Sequence, residues 1–183
     1  MPMQDFEKWT LDAIRSEDAS FSWLEEYRFE WIKTIQVTLS LILSGKTIIL
    51  ITDCDRKWFG AYIKRFINKA SNARPLICVL DIEQIYSYFD EISTNQSLDM
   101  IEDMLNISWQ SNYFFWYIGK GEDKRADIAK RKDDSLMWLF DEDSLNAFTM
   151  NSNDKKLDIK LLQLFHMFDI SINAALFGEI DVS

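Results

Sequence analysis

The sequence predicts an α/β fold, a three-layer α/β/α sandwich built on a mostly parallel sheet of four to five strands. Three observations lead there. Four segments with strand character recur at wide intervals, at Thr47 to Thr52, Leu76 to Asp81, Tyr113 to Ile118 and Leu136 to Phe140. Each is a continuous apolar run, the pattern of strands covered on both faces, and not the alternation of a half-exposed strand. Between them lie helical stretches at Arg56 to Lys69, Leu98 to Ile107 and Asp123 to Lys132, so strands and helices alternate as in βαβ crossovers.

The elements follow in order. Phe6, Trp9, Ala13 and Ile14 keep helical spacing and predict a first helix. Ser22-Trp-Leu-Glu25 reads as a capping box opening a longer helix that reaches Leu43, and Gly45 ends it. The helix after the first strand carries Trp58, Phe59, Tyr62, Ile63, Phe66 and Ile67 as one stripe, with Lys57, Gly60 and Lys64 opposite. Glu83 to Ser97 carries no clear pattern. A fifth strand is expected from Leu145 to Met150, after the acidic turn Asp141-Glu-Asp143. A last helix runs from about Lys155 to Phe177. With 183 residues, no internal repeat and no proline-rich linker, residues 1–183 are expected to form one domain that buries about two-thirds of its unfolded surface.

Two helices have more apolar sides than a sheet can cover. In the last one, Leu157, Leu161, Leu164, Phe165, Phe168, Ile172 and Leu176 form a stripe, while Ile159, Ile170 and Phe177 share another line. In the helix reaching Leu43, Phe29, Val37 and Leu41 fall away from the face of Trp31, Ile32, Ile35, Leu39 and Ile42. Self-association is the simplest expectation, with Phe29, Val37, Leu41, Ile159 and Ile170 as interface candidates; cover by helices of the same subunit is the alternative.

Composition narrows function. The net charge of −10, from 30 acidic and 20 basic residues, opposes direct binding to nucleic acid, whose affinity comes mainly from Lys and Arg releasing counterions. The basic stretches Lys120 to Arg125 and Lys130 to Lys132 are interrupted by acidic residues and read as a solvated face. The two cysteines, Cys54 and Cys78, form no closely spaced metal pair, and the start of the chain lacks the basic and apolar regions of a signal peptide. No run reaches the ~18 apolar residues of a membrane span. A reduced, cytoplasmic chain is expected.

Candidate chemistry concentrates in Lys46 to Phe59, a buried strand passing through a polar turn into a helix. Ligands of open α/β sheets sit beyond the carboxyl ends of strands, and phosphate ligands need close backbone, usually glycine. Here Asp53, Cys54, Asp55 and Arg56 occupy that turn and no glycine does. Asp53-Cys-Asp55 resembles the start of haloacid-dehalogenase-type phosphatases, in which the first aspartate attacks phosphorus, the second acts as acid and base, and Mg²⁺ neutralises charge. Lys57 stands where that family has Thr or Val, and Asp133-Asp134 precedes its strand where the metal-binding pair should follow one. Capping and turn formation explain the same aspartates more economically. His166, the only histidine, lies mid-helix beside Asp169 and reads as a paired surface histidine. Cys54 reads as packing at a strand end. Asp141-Glu-Asp143 lacks the pattern of a calcium loop, and Trp116 and Trp138 read as core. No catalytic residue, metal site or cofactor site is expected.

Several strings, in order across most of the chain, resemble the HobA family of bacterial replication proteins. They are Trp23-Leu-Glu25, Trp58-Phe59, Arg74-Pro-Leu76, Phe115-Trp116 with Ile118-Gly-Lys120, Trp138-Leu-Phe140 and Lys160-Leu-Leu-Gln-Leu-Phe165. The resemblance implies a sugar-isomerase-like fold of flavodoxin- or Rossmann-type topology that has lost catalysis. It further implies a homotetramer that binds the N-terminal region of the initiator DnaA and promotes its assembly at the origin without touching DNA. It supplies no motif-matched contact residues. Asp53, Asp55 and Arg56 are candidates from the strand-end crevice, and Leu176 and Phe177 from the end of the last helix, where one must point away from the core. A sugar-phosphate-binding protein or isomerase-like enzyme is the alternative, and a Mg²⁺ phosphatase using Asp53 and Asp55 a weaker one.

Overall fold

The computed structural model describes residues 4–92, 94–144 and 146–182. The elements are β1 (Gln4–Asp5), α1 (Phe6–Ser16), α2 (Ser22–Glu26), α3 (Arg28–Leu43), β2 (Thr47–Thr52), α4 (Lys57–Phe66), β3 (Val79–Asp81), α5 (Ile82–Ile85), α6 (Asn95–Trp109), β4 (Tyr113–Lys120), α7 (Lys124–Lys130), β5 (Leu136–Phe140), β6 (Ala147–Met150), α8 (Leu157–Leu176) and β7 (Ile180–Asp181). A five-stranded sheet has the order β3-β2-β4-β5-β6 with every pair parallel, and β1 pairs with β7 in a small second sheet.

The continuous apolar runs are explained by cover on both faces. Ile48 and Leu50 of β2, Phe114, Trp116 and Ile118 of β4, and Trp138 and Phe140 of β5 meet residues of α1, α3, α4 and α8. Their neighbours Ile49, Ile51, Phe115, Tyr117 and Leu139 meet α5, α6 and α7. This is the expected three-layer α/β/α sandwich. Among the described residues no helix is long and apolar enough to cross a membrane.

Several local expectations are corrected. The helix ending at Leu43 is two helices, broken at Tyr27. The spacing conceals the break, because Trp23, Tyr27 and Trp31 all contact Phe148 across it. The capping box does not form: Asp18 caps the preceding 3-10 turn through Ser20 N, and Glu25 instead pairs with Arg15 of α1. Gly45 does end α3, at φ +82°, a backbone region glycine enters freely. The strand expected from Leu76 begins at Val79, and Leu76 is 83% exposed. Asn68 explains the delay, since its side-chain amide takes both the N–H and the carbonyl of Ile77 at 2.8 and 2.7 Å in place of a neighbouring strand. The fifth strand is present as β6; Leu145 lies outside the described residues.

On α4 the buried stripe is rotated from the expected one. Trp58 is exposed and Gly60 is buried against the sheet, where a Cβ would lie 3.0 Å from Thr52 Cγ2. The missing side chain lets α4 approach β2, an advantage that amphipathic spacing does not reveal.

The apolar sides of α8 are covered in part by its own subunit. The helix packs on the sheet and against α1 and α3, and Leu41, Ile170 and Leu176 are partly buried on this core. Arg74 ties the approach to β3 onto α8, donating to Asp169 Oδ1 at 2.5 Å, to the Asp169 carbonyl and to Asn173 Oδ1. Phe29, Val37, Ile159 and Phe177 remain exposed.

Candidate functional site at the carboxyl ends of the strands

The polar turn after β2 lies at the carboxyl edge of the sheet, between β2 and β4. Asp53 caps the 3-10 turn Cys54–Arg56 that leads into α4. Its Oδ1 accepts from Arg56 N at 3.0 Å, and its Oδ2 accepts from Arg56 Nη1 at 3.0 Å and from Lys120 N, at the end of β4, at 2.9 Å. Asp53 N donates to the Ile118 carbonyl, so the two strand ends are joined twice. The Arg56 guanidinium lies 4.5 Å from the centroid of the Phe140 ring. Asp53 and Arg56 are 2% and 6% exposed. Burial pushes the Asp53 carboxyl up from its ordinary value, and the Lys120 N–H and the Arg56 charge pull partly back.

This placement corrects the expectation of a partner-facing trio. Asp53 and Arg56 face inward, because the carboxylate satisfies backbone donors and the guanidinium needs a buried counter-charge. Only Asp55 offers its carboxylate to solvent, while also accepting from Arg56 Nη1 at 3.1 Å. Asp53 is not placed as a phosphatase nucleophile, since both oxygens are engaged and buried. Asp133-Asp134 lies before β5, at the opposite end of the sheet, where Asp134 pairs with Lys46. Among the described residues there is no group of three or more His, Cys, Asp or Glu side chains able to hold a metal.

A glycine does serve this turn, from the neighbouring strand. A Cβ on Gly119 would lie 2.6 Å from Tyr117 Oη and 2.8 Å from both Cβ and Cγ of Asp53. Tyr117 is fixed by donating to the Lys120 carbonyl at 2.7 Å, and burial pushes its phenol pKa up. Gly119→Ala is therefore expected to lower stability by about 1–3 kcal/mol through overpacking, read as an earlier midpoint in urea unfolding.

On the α5–α6–α7 side of the turn, Lys57 pairs with Glu83 at 2.7 Å and Asp90 at 3.2 Å. Arg125 pairs with Asp90 at 2.6 Å and Asp123 at 3.3 Å, and donates to Cys54 Sγ at 3.1 Å. The hydrogen bond from Arg125, then that from Lys57, holds the Asp90 carboxyl below the ordinary aspartate value. A cavity of about 290 Å³ lies here, lined by Phe89, Asp90, Ile92, Leu98, Asp123, Lys124 and Arg125. Cys54 is exposed and not packed at the strand end, because the 3-10 turn directs it toward Arg125; Cys78 is exposed too, and both thiols are free. On the α8 side a second cavity of about 310 Å³ is bordered by Asp55, Arg56, Trp58, Ser152, Asp154 and Asp158 among others.

The remaining candidates lie elsewhere. His166 pairs with Glu17 at 2.9 Å, and not with Asp169, which is held by Arg74. Phe177 is 57% exposed while Leu176 packs on the core, so Phe177 is the one that points away. Phe29 borders a groove of about 510 Å³ between α3 and β6, and Val37 borders an adjoining one of about 150 Å³. Sequence reasoning missed Gly119, Phe140, Asp90 and Arg125 as parts of the strand-end architecture. Ile118-Gly-Lys120 at the end of an apolar run was the available signal for the first.

Residues 3–182 match the HobA family, described as a DNA replication regulator. The chain belongs to the HobA family. The DNA replication regulator protein HobA of Helicobacter pylori (strain ATCC 700392 / 26695) is 32% identical over 184 residues, covering 97% of this chain and 99% of that protein. Two crystal structures are similar over 98% of this chain and 99% of theirs, with TM-scores of 0.74 and 31% identity: HobA from Helicobacter pylori, and a HobA–DnaA (domain I-II) complex from the same organism. The HobA resemblance carried by the scattered aromatic and strand strings is thus borne out across the whole sheet and its helices.

Proposed function

We propose that this chain is a non-enzymatic scaffold of the cytoplasm that binds the N-terminal region of the replication initiator DnaA and promotes its oligomeric assembly at the chromosomal origin. The observation that carries the reading is the similarity, over nearly the full length of both chains, to the HobA subunit of a HobA–DnaA (domain I-II) complex. The strand-end turn supports it: the place where a phosphate ligand would bind is closed by the buried Asp53–Arg56 pair. The acidic balance of the chain supports action through protein and not through DNA.

The scaffold acts as a homotetramer in this reading. Exposed Phe29, Val37 and Ile159 are the apolar residues offered to neighbouring subunits, with partly buried Leu41 and Ile170 beside them. Phe177 and the exposed Asp55 are offered to DnaA, with Leu176 supporting Phe177. Several copies of one site would hold initiators close together and raise their effective concentration without any base contact.

Isothermal titration with DnaA domain I-II from the same cell tests the reading. Saturable heat at a fixed ratio per subunit is expected, together with no heat from sugar phosphates and a tetramer mass by sedimentation. Phe177→Ala should weaken binding about 10-fold or more, as expected for truncation of an exposed aromatic anchor, while leaving the protein tetrameric by sedimentation. Heat from a sugar phosphate and none from DnaA would favour the sugar-phosphate alternative.

A further inference from the structure

The strand order places β3 on one side of β2 and β4 on the other, so the chain leaves the sheet in opposite directions from β2 and β4. Such a switch point opens a crevice at the carboxyl ends, and anionic ligands there are held by N–H groups of the turns and of the helix start. In this chain three such donors converge on one internal group. Arg56 N, Arg56 Nη1 and Lys120 N reach the Asp53 carboxylate at 3.0, 3.0 and 2.9 Å, from two different strand ends. Gly119 leaves the room in which that carboxylate sits.

We infer that Asp53 is a built-in anion: its carboxylate fills the position that a ligand phosphate would take, and it is the residue that excludes phosphate-bearing ligands from this crevice. Three features carry the inference. The donor set is the kind that binds an oxyanion, two backbone N–H groups and a guanidinium. The guanidinium has a second anchor on the Phe140 ring, which does not depend on Asp53. The site is buried, so water does not compete for the donors. Being tethered, the carboxylate is present at an effective concentration that a free phosphate must overcome. Asp55, on the exposed side of the same Nη1, adds a second negative charge that faces any incoming anion. The inference concerns small-anion binding and stands independently of the DnaA reading.

The test removes the tethered anion and supplies a free one. Thermal unfolding of Asp53→Gly is compared in inorganic phosphate and in chloride at matched ionic strength, with the unchanged protein as control for the general stabilising effect of phosphate. Asp53→Gly is expected to gain about 3–6 °C more than the control at phosphate ten times above its dissociation constant. Asp53→Asn, which keeps the volume and fills the space with an amide, is expected to show no gain beyond the control. If Asp53→Gly does not fold in chloride, recovery of folded protein on refolding in phosphate is the readout. The inference is overturned if Asp53→Gly responds no more than the control, if it stays unfolded in phosphate as in chloride, or if Asp53→Asn responds equally.

Discussion

Arg56→Met is expected to destabilise the protein by about 3–5 kcal/mol, among the largest effects of any single substitution. The replacement keeps much of the volume beside Phe140 but removes the cation that, among the described residues, lies within hydrogen-bonding distance of a carboxylate that is 2% exposed. The cost is that of a buried charge left without its partner, and it exceeds what the ion pair is worth net, because desolvation of both groups offsets much of the attraction. The effect has a pH signature. Burial already raises the Asp53 carboxyl in the folded state, and loss of Arg56 removes one of the influences that pull it back. A carboxyl raised on folding favours the folded state most below its unfolded value of about 3.9, and that contribution is lost as pH rises through the folded value. The gap between Arg56→Met and the parent protein is therefore expected to be wider at pH 7 than at pH 4, as measured by urea unfolding. An equal gap at both would show that lost packing, and not lost charge, carries the effect.

Trp138→Ala is expected to cost a similar amount, about 3–5 kcal/mol, corresponding to a fall in melting temperature of roughly 10 °C or more. Trp138 is fully buried on β5, with ring centroids 5.1 Å from Trp116, 6.1 Å from Trp31, 6.2 Å from Phe59 and 6.5 Å from Phe168. It is where α3, α4 and α8 meet the sheet, and truncation leaves a cavity that three helices cannot jointly close. Trp138→Phe should cost less than about 2 kcal/mol. Its indole N–H has no hydrogen-bond partner among the described residues, so its removal relieves a desolvated donor while most ring contacts remain. Paired thermal melts of the two variants check the contrast, and a Phe variant as damaged as the Ala one would mean that the N–H is satisfied.

Much of the fold was legible because burial on both faces leaves a direct mark on a strand. Thr47 to Thr52 and Leu136 to Phe140 could be bounded without error, since apolar runs ended by polar turns have one economical reading. The edge strand was harder. β3 is short and partly exposed, and the side chain of Asn68, nine residues before Ile77, takes that residue's backbone groups just ahead of the strand. The rotation of α4 about Gly60 was hidden for a related reason: a glycine has no hydropathy to contribute to a stripe, although its absent side chain sets how closely the helix approaches Thr52. At the candidate site the residues of the turn were identified and their orientation was not. Asp53 and Arg56 read as surface because they are charged, and their burial depends on Lys120 N, Gly119 and Phe140, which reach the turn from two other strands.

The sequence by itself determined the layered α/β architecture, the want of a phosphate-cradling glycine after the first sheet strand and the family resemblance, because these follow from hydropathy, local turn chemistry and the order of short strings. Only the tertiary structure decided which charges point inward, which partner His166 takes, and which of Leu176 and Phe177 is free. Those outcomes depend on groups brought together across the sheet or between helices, and contact between residues distant in the chain leaves no periodic mark in it.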